Sequence, residues 1–433
     1  STGGKVTYEV VMTPIGAPEG ARSVEKHFER LEQVGEGTYG QVWMARDKED
    51  GSLVALKRIR MDNEKEGFPI TAVREIKILS MMKHENIVQL KEIVTSQARK
   101  ANDNKGSIYM VFEYMDHDLS GLQDQPGFQW TLPQVKCIMM QILRGLTHCH
   151  HHNVMHRDMK ASNILMNNRG ELKLADFGLS RERPEREGDR MTQRVITLWY
   201  RAPELLLGSP RYDFAVDMWS AGCIFAELLN RKPILQGKDE QEQVKLIFRR
   251  CGTPTEETWP GCTKLKWYSH FVKRDQPGHK GNLRETFGHL PPDALNLLEQ
   301  MLTLDPAKRI TAKKAYLHPF FHSVPWPCRP EEMPRFEASH EFVTKQRKRE
   351  AQKAGLKDAA RYGRQPGRPA APEAKRPRQE GQYHNGAPAD YQRPPPSAGG
   401  YAPPQPPRPY PGGRPGPQAG AWQPPPPAPN PRW

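Results

Sequence analysis

HRDMKASN, His156 to Asn163, is the stretch whose reading decides the fold, because one short loop carries three complementary chemistries. Asp158 offers a carboxylate for a hydroxyl proton, Lys160 a cation for a terminal phosphate, and Asn163 a carbonyl oxygen for a divalent metal. Outward toward the C-terminus, ADFG (Ala175 to Gly178) follows an apolar strand-like run, and Asp176 supplies a second hard oxygen of the kind Mg²⁺ prefers. Toward the N-terminus, VALK (Val54 to Lys57) sets a lysine at a strand position from which it can reach α and β phosphates. One strand earlier, GEGTYGQV (Gly35 to Val42) fits G-x-G-x-x-G-x-V. Glycines there let backbone amides approach phosphate oxygens without a Cβ in the way. Singly, these stretches read equally well as a hairpin turn, a solvated lysine and ordinary turns. Their order, closing with APE (Ala202 to Glu204), is not explained that way.

EGFPITAVREIKIL (Glu66 to Leu79) poses a different question. Pro69 reads as the first helical residue with the following ten helical. At 100° per residue Leu79, Ala72, Ile76, Val73 and Ile70 sweep half of that helix, and Ile78 lies nearly opposite. Glu75, in the middle, gains a use if it orients Lys57 through an ion pair. A short helix that is apolar almost all round needs more cover than one small sheet provides.

Composition divides the chain. Of 433 residues 36% are hydrophobic, but 22 of the 42 prolines fall after Ala360, in a tail of Gly, Pro, Gln, Tyr and Arg with few aliphatic residues. Such a segment buries too little apolar surface to offset its ordering entropy, so disorder with polyproline II character is expected. From Glu341 onward there are 16 Lys and Arg against 6 Asp and Glu, which is +10 of the net +14, so the folded part is nearly neutral. KQRKR (Lys345 to Arg349) and AKRPR (Ala374 to Arg378) read as nuclear-import signals, as polyanion contacts or simply as solvated charge. Six scattered cysteines without CxxC spacing suggest reduced thiols in a nuclear or cytosolic compartment, and no apolar run is long enough for a bilayer. The first residue is Ser rather than Met, and a processed or truncated N-terminus is expected.

From Phe28 to Met115 short β-branched runs alternate with turn signals, implying a small sheet with one helix; VTSQARKANDNKGS (Val94 to Ser107) reads as a loop. Beyond Asp116 helical periodicity dominates, and no internal repeat is present.

This order and spacing resemble the eukaryotic protein kinase domain over residues 28–321. The resemblance implies an α+β, two-lobed kinase fold with a β-rich N-lobe at 28–115 and an α-rich C-lobe at 116–321, after an N-terminal extension (1–27) and before a basic, Pro/Gly-rich disordered tail (322–433). It further implies ATP and Mg²⁺ in the cleft. Gly35, Glu36, Gly37, Thr38, Tyr39 and Gly40 would form the phosphate loop, and Val34, Val42 and Ala55 would cover the adenine with Leu165 beneath. Phe112 would back the pocket, Glu113 and Met115 would bond the base, and Asp118 would meet the ribose. Lys57 and Glu75 would form the ion pair, Asn163 and Asp176 would hold the metal, and Asp158, Lys160 and Thr197 would serve the transfer. Lys160 in this place is typical of Ser/Thr kinases, while Asp217 and Arg309 match residues that brace the HRD loop and pair with Glu204.

PITAVRE resembles the hallmark helix of cyclin-dependent kinases, which a cyclin covers. Ile70 and Val73 would then be cyclin contacts, and without that cover the helix can withdraw Glu75 from Lys57. HRDMKASN, RVITLWYR, the insert CGTPTEETWPG (Cys251 to Gly261) and the SHEF of Ser339 to Phe342 bring the match closest to the transcription-elongation branch, including plant C-type enzymes. That implies nuclear Ser/Thr-Pro phosphorylation, with the C-terminal repeat of RNA polymerase II as substrate. Val195 and Arg201 match the proline-selecting residues. Thr192 matches the position modified by an activating kinase, with Arg74, Arg157 and Arg181 as its phosphate ligands. Thr38 and Tyr39 match inhibitory phosphosites of cell-cycle relatives, so a cell-cycle enzyme is the alternative. From other classes, a non-catalytic scaffold or a protein binding RNA or proline-motif partners through its tail stays open.

Overall fold

The computed structural model describes residues 22–37, 40–59, 69–97, 106–183, 192, 195–273 and 278–346. Thr38, Tyr39, the extension up to residue 21 and the basic tail from residue 347 lie outside the described residues.

One helical turn, α1 (Val24–His27), precedes a five-stranded antiparallel sheet. It is built from β1 (Phe28–Gly37), β2 (Gly40–Asp47), β3 (Leu53–Arg58), β4 (Leu90–Thr95) and β5 (Ile108–Glu113) in the spatial order β1-β2-β3-β5-β4. Side chains alternate across a strand, so Val54 and Leu56 of β3 enter a core with Ala45, Val94, Tyr109 and Val111, while Ala55 and Lys57 face the other way. Register places Lys57 between Val42 and Met110, and Ala55 opposite Phe112.

Helix α2 (Ile70–Met81) lies between β3 and β4 in the chain. Pro69 is its N-cap (φ −59°) rather than its first helical residue. Its carbonyl accepts from the N–H groups of Ala72 and Val73, which lets the helix start one residue after the proline. Ala72, Glu75, Ile78 and Leu79 are buried, whereas Ile70 and Val73 remain 68% and 50% exposed. The apolar circumference therefore splits into a packed face and a bare one.

The second lobe opens with β6 (His117–Asp118), α3 (Leu119–Gln123) and α4 (Leu132–His151). Short strands β7 (Val154–Met155), β8 (Ile164–Met166), β9 (Leu172–Leu174) and β10 (Arg181–Glu182) follow; β6-β8-β9 form one small sheet and β7 pairs with β10. Strands of two or three residues are too short to leave a periodic trace in the sequence. Helices α5 (Pro203–Leu206), α6 (Ala215–Asn230), α7 (Glu240–Cys251), α8 (Tyr268–Phe271), α9 (Leu283–Phe287), α10 (Pro292–Met301) and α11 (Ala312–Tyr316) complete the lobe. Every residue of α6 from Val216 to Leu228 is buried, as a helix apolar on all sides must be.

The expectation of a disordered tail from residue 322 needs correction for residues 322–346. Lys136 of α4 donates to the carbonyls of Ser323 and Pro325 (both 2.7 Å), and Cys328 N–H donates to Pro133 O (3.2 Å). Phe336 packs on Phe128 with ring centroids 4.9 Å apart, and Ser339 N–H donates to Asp116 O. A few apolar anchors (Cys328, Met333, Phe336) hold a stretch whose average composition suggests no core. Residues 341–346 end the segment as a helix.

Candidate active site

A cleft of about 300 Å³ opens where β1 to β3, α2, the segment after β5 and the HRD and DFG loops meet. Lys57 Nζ donates to Glu75 Oε1 (2.7 Å) and to Asp176 Oδ1 (2.9 Å). Burial alone would lower the Lys57 pKa, but the charges of Asp176 and Glu75 outweigh it and hold the ammonium protonated. Burial likewise works against the Asp176 anion, and Lys57 keeps that carboxyl below its usual range. Asp176 adopts a left-handed backbone (φ +62°), which turns its side chain out of the strand direction at the start of the DFG turn.

Across the cleft, Asp158 Oδ2 accepts from Lys160 Nζ (2.9 Å) and Asn163 Nδ2 (3.0 Å), and Oδ1 accepts from Thr197 Oγ1 (3.2 Å). The loop is braced from below by Asp217 of α6, whose carboxylate accepts the N–H groups of His156 (2.9 Å) and Arg157 (2.8 Å) and the ring nitrogen of His150 (2.9 Å). Burial opposes the Asp217 anion, and these donors keep its pKa low. His156 bonds Ala175 O through Nε2 (3.0 Å) and accepts Asp158 N–H at Nδ1 (3.3 Å), tying the HRD loop to the DFG strand.

Asn163 spends its amide nitrogen on Asp158, which leaves its carbonyl oxygen as the end suited to a cation. Asn163 and Asp176 together give two hard oxygens, a donor set that suits Mg²⁺, which keeps waters and phosphate oxygens as its other ligands. Among the described residues no cluster of three or more His, Cys, Asp or Glu forms a protein-only metal cage.

The pattern described as Protein kinase domain matches residues 28–321. The chain belongs to that family. It is 58% identical over 337 residues to cyclin-dependent kinase C-2 of Oryza sativa subsp. japonica, covering 76% of this chain and 65% of that one. It is 57% identical over 337 residues to cyclin-dependent kinase C-1 of Arabidopsis thaliana (76% and 66%). Cyclin-dependent kinase 12 of Drosophila melanogaster is 48% identical over 331 residues (75% and 28%). The chain thus spans just under two thirds of the length of these plant relatives. The sequence resemblance to cyclin-dependent kinases, with plant C-type enzymes among them, is borne out.

Within the kinase cleft, Val34, Gly35, Glu36, Gly40, Val42, Ala55, Phe112, Glu113, Met115 and Leu165 line the walls. Gly37 ends β1 beside them. The side chain of Asp118 also reaches the cleft, with both oxygens engaged: Oδ1 caps α3 by accepting Gly121 N–H, and Oδ2 accepts Glu341 N–H (both 2.7 Å). Sequence reasoning gave no cleft role to Leu79, Val88, Tyr114, Ser162, Ala175 or to His340, Glu341 and Phe342, all of which line it. The last three arrive on the segment described above, from far along the chain. SHEF was visible as a family likeness, without a role.

In the activation segment Arg201 Nε donates to Val195 O (3.0 Å) and Nη2 to Ile196 O (3.1 Å), with Ile196 at φ +67°. The carbonyl of Val195 is committed to Arg201, as expected. Thr192 is exposed; its carbonyl accepts from Tyr212 Oη (2.8 Å), which in turn accepts from Arg157 Nη1 (2.9 Å). Arg157 therefore reaches Thr192 through Tyr212. Among the described residues neither Arg74 nor Arg181 forms a side-chain ion pair.

Beneath this segment lies an unforeseen titratable group. Glu227 of α6 accepts Tyr200 Oη (2.7 Å), and burial pushes its pKa from 4.5 up to about 7. Because the folded-state value is raised, the stability it contributes is complete below the unfolded pKa and is lost as pH rises through the folded one. Glu227→Gln keeps an acceptor for Tyr200 and removes the titration. Its Tm should therefore exceed that of the wild type at pH 8 and match it more closely at pH 5. Parallel Tm profiles for the two proteins would refute this.

Proposed function

We propose that the chain is a cyclin-dependent Ser/Thr protein kinase that moves the γ-phosphate of ATP to serine or threonine followed by proline. The reading is carried by Lys57, clamped between Glu75 and Asp176, facing Asp158 with its Lys160, Asn163 and Thr197 neighbours. Backbone groups at Glu113 and Met115 receive the adenine, Lys57 the α and β phosphates, and Lys160 the γ-phosphate. Bound at Asn163 and Asp176, Mg²⁺ supplies neutralisation of the charge on the phosphate oxygens. Asp158 orients the substrate hydroxyl and accepts its proton.

Proline selection rests on the Arg201 contact. With the Val195 carbonyl already accepting from Arg201, an ordinary residue after the acceptor buries an amide hydrogen without a partner, costing about 1–3 kcal/mol, while proline has none to strand. At 1.4 kcal/mol per decade this is roughly a five- to hundredfold preference in kcat/KM for Ser-Pro over Ser-Ala peptides, and equal rates would refute it.

A cyclin as activating partner follows from the bare Ile70 and Val73 face and from the names of the relatives. Val73→Asp puts an unpaired charge into that interface, where it costs several kcal/mol. The purified chain should gain activity with a cyclin, and the variant should lose that gain while keeping its Tm. A monomer fully active in both forms would sink the idea. The transcription-elongation likeness supports a nuclear enzyme acting on the repeat tail of RNA polymerase II, with a second kinase acting on Thr192. Heptad-repeat peptides left unphosphorylated beside another, efficiently used Ser-Pro substrate would redirect the assignment to a cell-cycle role.

A further inference from the structure

We propose that the face of the five-stranded sheet turned away from the cleft carries a second binding site, which takes the phosphorylated serine or threonine of a partner peptide. Arg58 ends β3 on the same side as Val54 and Leu56 and opposite to Lys57, because side chains alternate along a strand. Beside it opens a cavity of about 400 Å³, to which β1 contributes Arg30, the segment after β4 contributes Ser96 and Gln97, and the approach to β5 contributes Ser107.

The walls of this cavity hold more donors than acceptors. Arg30 Nη2 donates to Tyr109 Oη (2.6 Å) with its guanidinium 4.9 Å from the centre of the Tyr109 ring, so the fork is oriented in advance. Among the described residues neither Arg30 nor Arg58 meets a carboxylate, and the Arg58 side chain makes no hydrogen bond. Ser96 Oγ accepts Ser107 N–H (2.8 Å), which leaves its hydroxyl hydrogen to donate. Ser107 is only 6% exposed, yet among the described residues its own hydroxyl is unpaired. One acid, Glu25, shares the cavity, and its carboxylate is engaged by Gln97 N–H (3.2 Å) and Ser23 Oγ (3.0 Å). Two cations therefore face one anion that already has donors.

The count of donors selects the ligand. A carboxylate has two coplanar oxygens, which one guanidinium fork satisfies. Two guanidinium ions and two hydroxyls suit the three oxygens and the charge of about −1.5 to −2 of a phosphate monoester. The site is concave, with Ser107 at its buried end and Arg30 at its exposed rim, so a flat lipid surface cannot reach all the donors. Its aromatic walls, Phe28 and Tyr109, are 3% and 4% exposed and offer no open ring for a base to stack on, which disfavours RNA. A phosphorylated side chain on an extended peptide fits both restrictions.

The test measures fluorescence anisotropy of a labelled phosphoserine peptide with the full-length chain, the cleft being filled with a non-hydrolysable ATP analogue. Charged hydrogen bonds make the phosphopeptide bind at least about tenfold tighter than its unphosphorylated form. Arg58→Gln should weaken that binding about ten- to hundredfold, and Ser107→Ala, which removes one hydroxyl, about two- to tenfold. Both variants should keep wild-type turnover on a short unphosphorylated Ser-Pro peptide, since the cavity lies across the sheet from Lys57. The proposal is overturned if phosphorylated and unphosphorylated peptides bind equally, or if Arg58→Gln and Ser107→Ala both bind the phosphopeptide as the wild type does. It is overturned equally if inorganic phosphate or an RNA oligonucleotide displaces the labelled peptide as readily as unlabelled phosphopeptide does.

Discussion

Asp158→Asn should lower kcat on a Ser-Pro peptide by a factor of about 10² to 10⁴, the usual contribution of a positioned acid or base, with ATP affinity changed far less. The substitution is close to isosteric, and the surrounding hydrogen bonds can adapt. The amide oxygen still accepts from Lys160 and Asn163, and the amide nitrogen can donate to Thr197 Oγ1, reversing the bond that Asp158 Oδ1 now accepts. What disappears is a group that can take the hydroxyl proton. Because Val34, Val42, Ala55 and Leu165, the residues proposed to enclose the adenine, line the cleft while Asp158 is not among its lining residues, nucleotide binding measured by calorimetry should stay near that of the wild type. A variant within threefold of the wild-type kcat would remove Asp158 from the proposed role. Loss of nucleotide binding alongside loss of turnover would point instead to a collapsed loop.

The site was legible in the sequence to the extent that its parts are local. HRDMKASN and ADFG each place their reactive groups within a few residues, so spacing alone exposes them. Lys57 and Glu75 sit 18 residues apart but on a strand and a helix whose patterns are clear. The short strands β6 to β10 escaped because their pairing is fixed by the loop they brace. The 322–346 segment escaped for a different reason: its contacts join residues such as His117 and Ser339, 222 positions apart, and a proline-rich average hides a few anchoring side chains. Glu227 was hidden inside an apolar helix, where one carboxyl looks like an exposed position until burial on every side of α6 is known. Likewise, the link from Arg157 through Tyr212 to Thr192 joins residues far apart in the chain, and no local pattern announces it.

Arg309→Ala should cost about 3–5 kcal/mol of stability, a large share of the roughly 5–15 kcal/mol typical of a folded domain. The guanidinium is fully buried and every N–H is used. Nη1 and Nη2 grip Glu204 (2.8 and 2.9 Å), Nη1 also reaches Ala215 O, Nη2 Leu304 O, and Nε Thr303 O. These bonds tie the APE turn to the start of α6 and to the loop after α10, so the adjoining Arg201 segment shares their fate. Removing the side chain strands the Glu204 carboxylate, takes one donor from each of three carbonyls and opens a cavity beside Trp219. Arg309→Lys should recover little, since one ammonium with three hydrogens cannot reproduce a five-donor fork. If the stranded charge is the main loss, adding Glu204→Gln to Arg309→Ala should raise the denaturation midpoint above that of the single variant. A double variant no more stable than Arg309→Ala at neutral pH would assign the cost to packing and to the unpaired carbonyls rather than to the buried carboxylate.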